Sequence, residues 1–144
     1  MRPILALCLG LCLSAAPAVA QDMGAAAQGQ TNALRANAGA EPLGVSAALT
    51  RAAGGHARDM AQNGFFSHTG SDGSGIGDRA RAAGYGFCFI AENIAQGQGS
   101  LDEVMTGWMN STGHRRNILS EGAREFALMR EGNIWVMVLG RPGC

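Results

Sequence analysis

Residues 124 to 140 read REFALMREGNIWVMVLG, two runs rich in large apolar and aromatic residues on either side of Glu131-Gly132. Such a pair reads as a β-hairpin, and it closes the chain. Helical patterns come before it. QTNALRANAG is a short helix ending at a glycine. EPLGVSAALTRAAGGHARDMAQNGFF holds the longest, with Ser46 as N-cap and Val45, Leu49, Ala52, Ala53, His56, Met60 and Ala61 on one face at 3.6 spacing. Gly54 and Gly55 inside it cost about 1 kcal/mol each against alanine and point to close approach of another segment. GIGDRARAAGYG is a third helix, closed by Gly84. GSLDEVMTGWMNSTG is a fourth, with Ser100 and Glu103 in capping-box spacing. A short strand is expected near residues 87 to 90. Helices followed by a hairpin give α+β layers rather than a parallel βαβ array.

The first residues carry a different message. MRPILALCLGLCLSAAPAVAQD has one arginine, an apolar run from Ile4 to Leu13 and the small-residue pattern Ala18-Val19-Ala20. This is the pattern of a secretory signal peptide over 1–20, cleaved after Ala20. The apolar run is short of the roughly 20 residues a membrane-spanning helix needs. No second run follows, so no transmembrane segment is expected. Residues 21–30 lack periodicity and read as a flexible tail, leaving 31–144 as one domain. The product is expected to be secreted, periplasmic or extracellular, and monomeric. All 11 basic residues are arginine. Without Arg2, ten arginines face 11 acidic residues, a net charge near −1 with no basic stripe, which argues against nucleic acid as a partner. Export also removes Cys8 and Cys12. Cys88 and Cys144 are then expected to pair in an oxidising compartment, with an intermolecular bridge through Cys144 or two free thiols as the alternatives.

Three polar residues are out of place for a plain core. Glu92 follows an apolar run in FCFIAENIA, so its carboxylate is either paired or functional. His68 ends GFFSH, and His114 follows Gly113. Their spacing, 22 to 24 residues, matches no compact zinc signature. On the residues alone, a shared site competes with a bland reading in which His68 caps a turn, Glu92 pairs with an arginine and His114 caps a helix end. His56, mid-helix, reads as a packed core histidine. Trp108 reads as core, with Val104 and Leu101 on the same apolar face.

HARDMAQNGFFSHTGSDGSGIGDRARAAGY, AENIAQG and EVMTGWMNSTGHRRNIL resemble the CAP superfamily, which includes the cysteine-rich secretory proteins, antigen 5 proteins and plant pathogenesis-related proteins. The resemblance runs from about Thr31 to Gly140 and is closest to the compact bacterial members. It implies a three-layer α-β-α sandwich with a small central antiparallel sheet. It also implies a cleft where two histidines and two acidic residues meet, in many members able to hold a divalent cation. His68 matches the first family histidine and Glu92 the glutamate of G-E-N, with Ala91 in place of the glycine. Ser111 stands where animal and plant members carry a second glutamate. No histidine follows His114, which is the S-x-G-H histidine of bacterial members. Val136-Met137 replaces a Thr-Gln pair and makes the cleft wall less polar.

His68, His114 and Glu92 together suit zinc held with water in the open position. They suit equally a metal-free His–Glu acid/base pair. Ser111, three residues before His114, raises a Ser–His nucleophile, though no third orienting carboxylate is evident. The resemblance favours a binding module for a divalent metal and a lipid, glycan, small molecule or protein, with a metal-dependent hydrolase as the alternative.

Overall fold

The computed structural model describes residues 19–143. The signal-peptide expectation for 1–20 therefore lies almost wholly outside the described residues, as does Cys144. Among the described residues, a five-stranded sheet in the order β1-β4-β5-β3 forms the middle layer, with β2 pairing β4 off that path. Its strands are β1 (Gln21–Asp22), β2 (Gly44–Val45), β3 (Phe87–Gln96), β4 (Glu125–Glu131) and β5 (Ile134–Pro142). All pairings are antiparallel except the two-residue contact of β2 with β4.

Alternation along the hairpin builds the layers. Ala127, Met129, Ile134, Val136 and Val138 face one side and pack on α2 (Ala47–Asn63) and α3 (Ile76–Ala82) through Leu49, Ala53, Ala57, Met60 and Ala80. Phe126, Leu128, Trp135, Met137 and Leu139 face the other. There they meet Ala27 of α1 (Gly24–Asn37), Val104, Met105 and Trp108 of α4 (Leu101–Asn110), and Ile118 of α5 (Thr112–Ile118). Successive strand residues point to opposite faces, so each central strand serves both cores. The fold is α+β, an α-β-α sandwich around a small, largely antiparallel sheet, as expected.

Several local expectations shift. Residues 21 to 30, read as a loose tail, form β1 and the first half of α1. The stripe that docks α1 is Gly24, Ala27, Thr31 and Arg35, small or polar residues that leave little hydrophobic signal. Arg35, fully buried, donates to the carbonyls of Glu41, Ile118 and Ser120 and so ties α1 to the end of α5. On α2 the buried face holds Leu49, Ala52, Ala53, His56 and Met60 as expected. Ala57 joins it, whereas Val45 and Ala61 are exposed. Gly54 meets the sheet closely, since an added Cβ would sit 3.0 Å from Met129 Cε, while Gly55 faces open space. The hairpin turn is one residue later than read: Glu131 pairs with Ile134 around Gly132-Asn133. Gly132, at φ +58°, supplies the positive φ that a type II′ turn needs at its first central position. Ser100 caps α4 by accepting from the Glu103 amide at 3.2 Å, but the Glu103 carboxylate reaches back to the Gly99 amide, at 2.7 Å, rather than to Ser100.

The largest revision concerns β3. The short strand expected near 87 to 90 runs ten residues and carries Glu92 at its middle. Polar residues at 92 and 93 interrupt the apolar pattern that would have revealed it. β5 in turn continues to Pro142, opposite Phe87, and the Gly143 amide donates to the Gly86 carbonyl at 3.3 Å.

Candidate functional site

β3 forms one edge of the sheet and presents its residues to both cores. Ile90 and Ile94 belong with the α2–α3 side, Phe89 and Ala95 with the α4–α5 side. Glu92 therefore points towards α2 and α3, and Asn93 towards α4 and α5. This is the local reason for adjacent polar residues in a buried strand: each is the centre of a separate polar network.

On the first side, the Glu92 carboxylate is 2% exposed and has both oxygens engaged. Oε1 accepts from His68 Nδ1 at 2.8 Å, and Oε2 from Arg79 Nη2 at 2.8 Å. Arg79, on α3, also donates to the carbonyls of His68 at 3.0 Å and Ser74 at 2.7 Å. His56 Nε2 lies 2.8 Å from the Ser67 carbonyl and 3.9 Å from Glu92 Oε1. A carbonyl can only accept, so Nε2 carries the proton in the neutral ring. Burial pushes the His56 pKa down, outweighing the upward pull of Glu92. Asp59, one turn further along α2, accepts from the amide and hydroxyl of Ser71. Those hydrogen bonds, the hydroxyl's above all, hold its carboxyl below the usual range. His56, Asp59 and Arg79 thus clamp the loop from residue 64 to 75. His68, with its side chain 59% exposed, stands out from that clamp. Because Nδ1 is hydrogen-bonded to Glu92, the outer nitrogen Nε2 is left for a ligand.

On the second side, fully buried Asn93 donates to the His114 carbonyl at 3.1 Å and accepts from Asn117 at 2.9 Å. Asn117 and Trp108 donate to the β3 carbonyls of Glu92, at 3.4 Å, and Ile94, at 3.3 Å. His114 lies in α5, its ring 6.4 Å from the Trp108 ring. Its pKa is lowered chiefly by burial and, to a lesser degree, by electrostatic interaction with His68. A cavity of about 430 Å³ lies beside His114, with Phe66, Ile94, Gln96, Trp108 and Ser111 in its lining; His68 is not part of that lining. Ser111 marks the junction of α4 and α5, and its hydroxyl makes no capping hydrogen bond.

His68 and Glu92 therefore meet directly, whereas His114 and Ser111 line a cavity in which neither His68 nor Glu92 takes part. Among the described residues, no group of three His, Cys, Asp or Glu side chains is arranged around a common metal position. Trp108 is core, as expected, at 2% exposure. His56 is buried as expected but also belongs to this network, which the helical pattern could not show. Arg79, Asn93 and Asn117 were missed as site residues. An arginine partner for Glu92 was one of the readings of the sequence, but nothing there singled out Arg79 among the arginines. The two asparagines stand inside the quoted E-N-I and H-R-R-N-I-L runs, and their place in those runs was the available signal.

Residues 28–132 match the model of the cysteine-rich secretory protein family, CAP. The chain belongs to this family. As a CAP domain it is similar to the uncharacterized protein YkwD of Bacillus subtilis (strain 168), 34% identical over 107 residues that cover 73% of this chain and 42% of YkwD. It is 32% identical over 90 residues to the uncharacterized membrane protein YlbC of the same organism, covering 62% of this chain and 26% of YlbC. The chain thus spans less than half the length of these relatives. An extracellular protein containing a SCP domain from Bacillus anthracis str. Ames superposes with a TM-score of 0.79 at 28% identity, over 82% of this chain and 40% of that one. An outer surface protein from Borrelia burgdorferi superposes at 0.78 with 19% identity, over 88% of this chain and 99% of that one, a likeness of fold. No helix among the described residues is long and apolar enough to cross a membrane.

Proposed function

We propose that this CAP domain is an exported binding module whose cleft over the β3 edge takes a divalent metal, zinc, together with a lipid, glycan or protein ligand. The observation that carries the reading is the His68–Glu92 contact at 2.8 Å. Histidines that bind metals usually donate their other ring N–H to a carboxylate, which fixes the tautomer and aims the ligating nitrogen outward. His68 has that arrangement. His114, held towards its neutral form and lining the cavity beside α4 and α5, is the second imidazole of this reading. Glu92 then acts as the orienting carboxylate behind His68 rather than as a direct ligand. In this reading the two imidazole nitrogens would hold the zinc, with water in the remaining positions. Bound there, the metal would supply Lewis acidity and a ligand-exchange position.

Binding is favoured over turnover for a stated reason. A hydrolase built on the same cleft needs a carboxylate free to move a proton. Glu92 has one oxygen on His68 and the other on Arg79. Export rests on the leader read in residues 1–20 and agrees with the extracellular and outer-surface descriptions of the structural relatives. A Cys88–Cys144 bridge belongs to the same reading. Isothermal titration of zinc into the exported chain and its His68→Ala variant tests it. Saturable binding lost on substitution is expected, and equal heats from both proteins would remove the metal from the proposal.

A further inference from the structure

A second cavity, of about 380 Å³, opens at the far end of α2 beside the hairpin turn, and its lining includes Phe65, Phe66, Gln96, Glu131 and Asn133. Glu131 is 6% exposed, yet its Oε2 is buried with no hydrogen-bond partner among the described residues. No arginine or histidine among the described residues lines this cavity. The nearest guanidinium in sequence, Arg130, is engaged elsewhere. It stacks 4.7 Å over the Trp135 ring and donates to the carbonyls of Gly132 and Gly99. A carboxylate oxygen removed from water without a partner is costly unless something completes it. Two further features favour a cation there. α2 ends at Asn63 with no basic residue in its last turn, so the negative end of its dipole is uncompensated at the cavity wall. Two phenylalanines flank the same space, and Phe66 is 44% exposed, unusual for so large an apolar side chain. Aromatic faces attract cations and also accept an aliphatic stem.

From these observations we infer that the Glu131 cavity is a binding site for a primary ammonium carried on an unbranched aliphatic stem. The ammonium completes Glu131, and the stem lies on Phe65 and Phe66. Phe66 and Gln96 also line the cleft cavity, so the two sites are neighbours with separate chemistry. Two sources share this ligand chemistry, a lysine side chain of a polypeptide and a free alkyl diamine.

The test is an amide NMR titration of the exported chain with n-butylammonium, Nα-acetyl-lysine N-methylamide and cadaverine, with n-butanol as the uncharged control. Saturable shifts centred on Phe65, Phe66 and Gly132 are expected with the ammonium compounds. Affinity should fall at least ten-fold in Glu131→Gln. Phe66→Ala, a change at a half-exposed position, should also weaken binding while the rest of the spectrum stays native. His68→Ala should bind as the parent does, which separates this site from the proposed metal cleft. Tighter binding of the lysine amide points to a polypeptide, and tighter binding of cadaverine to a free amine. Equal affinity for n-butanol, or unchanged affinity in Glu131→Gln, would overturn the inference.

Discussion

The half-exposed imidazole of His68 rests on the buried carboxylate of Glu92, Nδ1 to Oε1 at 2.8 Å, and Arg79 holds the other oxygen of the same carboxylate at the same distance. An outward-facing nitrogen is thus aimed by an inward-facing charge pair. If zinc binds there, Glu92→Gln should weaken it about 10–100-fold, the usual effect of losing an orienting partner. His68→Ala should abolish the contribution of one ligand and lower the melting temperature only modestly: the ring is mostly solvated, but its loss leaves Glu92 Oε1 without its hydrogen bond. Calorimetric titration and thermal melts of both variants check the pair of outcomes.

Arg79→Ala should be far more disruptive than His68→Ala. It strips a partner from a carboxylate that is 2% exposed, and it releases the carbonyls of His68 and Ser74. Breaking a buried pair from one side costs about 3–5 kcal/mol. Urea denaturation should show that loss, and a drop well under about 1 kcal/mol would mean that Glu92 relaxes into water.

Stability should also fall as the solution is acidified. His56 has its folded pKa below the ordinary value of 6.5, chiefly through burial, and His114 shifts the same way. A depressed histidine takes up a proton in the unfolded chain before it does so in the folded one. The unfolded state therefore binds more protons below about pH 6.5, and unfolding becomes easier there. The stability these two rings allow is intact above that pH and is lost progressively below it. Chemical denaturation from neutral pH down through the acid side of that value should show this slope, and His56→Gln should flatten it.

The α+β class was legible from helical patterns followed by two apolar runs about Glu131-Gly132, and the three layers from the family resemblance. Glu92 stood out because a carboxylate in an apolar run needs a partner, but only the family resemblance set His68 beside it. Less was visible where polar atoms do the packing. β3 reads as four residues because Glu92 and Asn93 break its pattern, although both side chains are buried. α1 reads as starting late because its docking face is Gly24, Ala27, Thr31 and Arg35. Arg79 could not be singled out as the arginine partner of Glu92, because its partners come from a loop and from a strand that follows it in the chain.

Trp108→Ala should cost about 3–5 kcal/mol. The ring fills the α4 side of the core at 2% exposure, and its indole N–H is given to the Ile94 carbonyl at 3.3 Å. A melting temperature equal to that of the parent protein would contradict this placement.

Cys88 and Cys144 should form one intramolecular bridge. Pro142 lies opposite Phe87, and the Gly143 amide reaches the Gly86 carbonyl, so the closing residues run alongside the start of β3. A loop of about 57 residues, from 88 to 144, corresponds to roughly 4 kcal/mol in the chain-entropy model. Intact mass after alkylation should show no free thiol before reduction and two after it. A dimer that dissociates on reduction would instead place the bridge between chains.

Glu92 and Asn93 sit side by side on one strand yet answer to opposite halves of the molecule. Together they act as a key that enters its lock in a single position. Sliding β3 by one residue along β5 would turn the carboxylate into the aromatic core around Trp108 and bring the amide before Arg79, so both networks would fail at once. Sliding it by two would keep the faces but offer Arg79 an isoleucine, Ile90 or Ile94, in place of its counter-charge. The chemistry that equips the cleft is thereby also what proofreads the pairing of the strand that carries it.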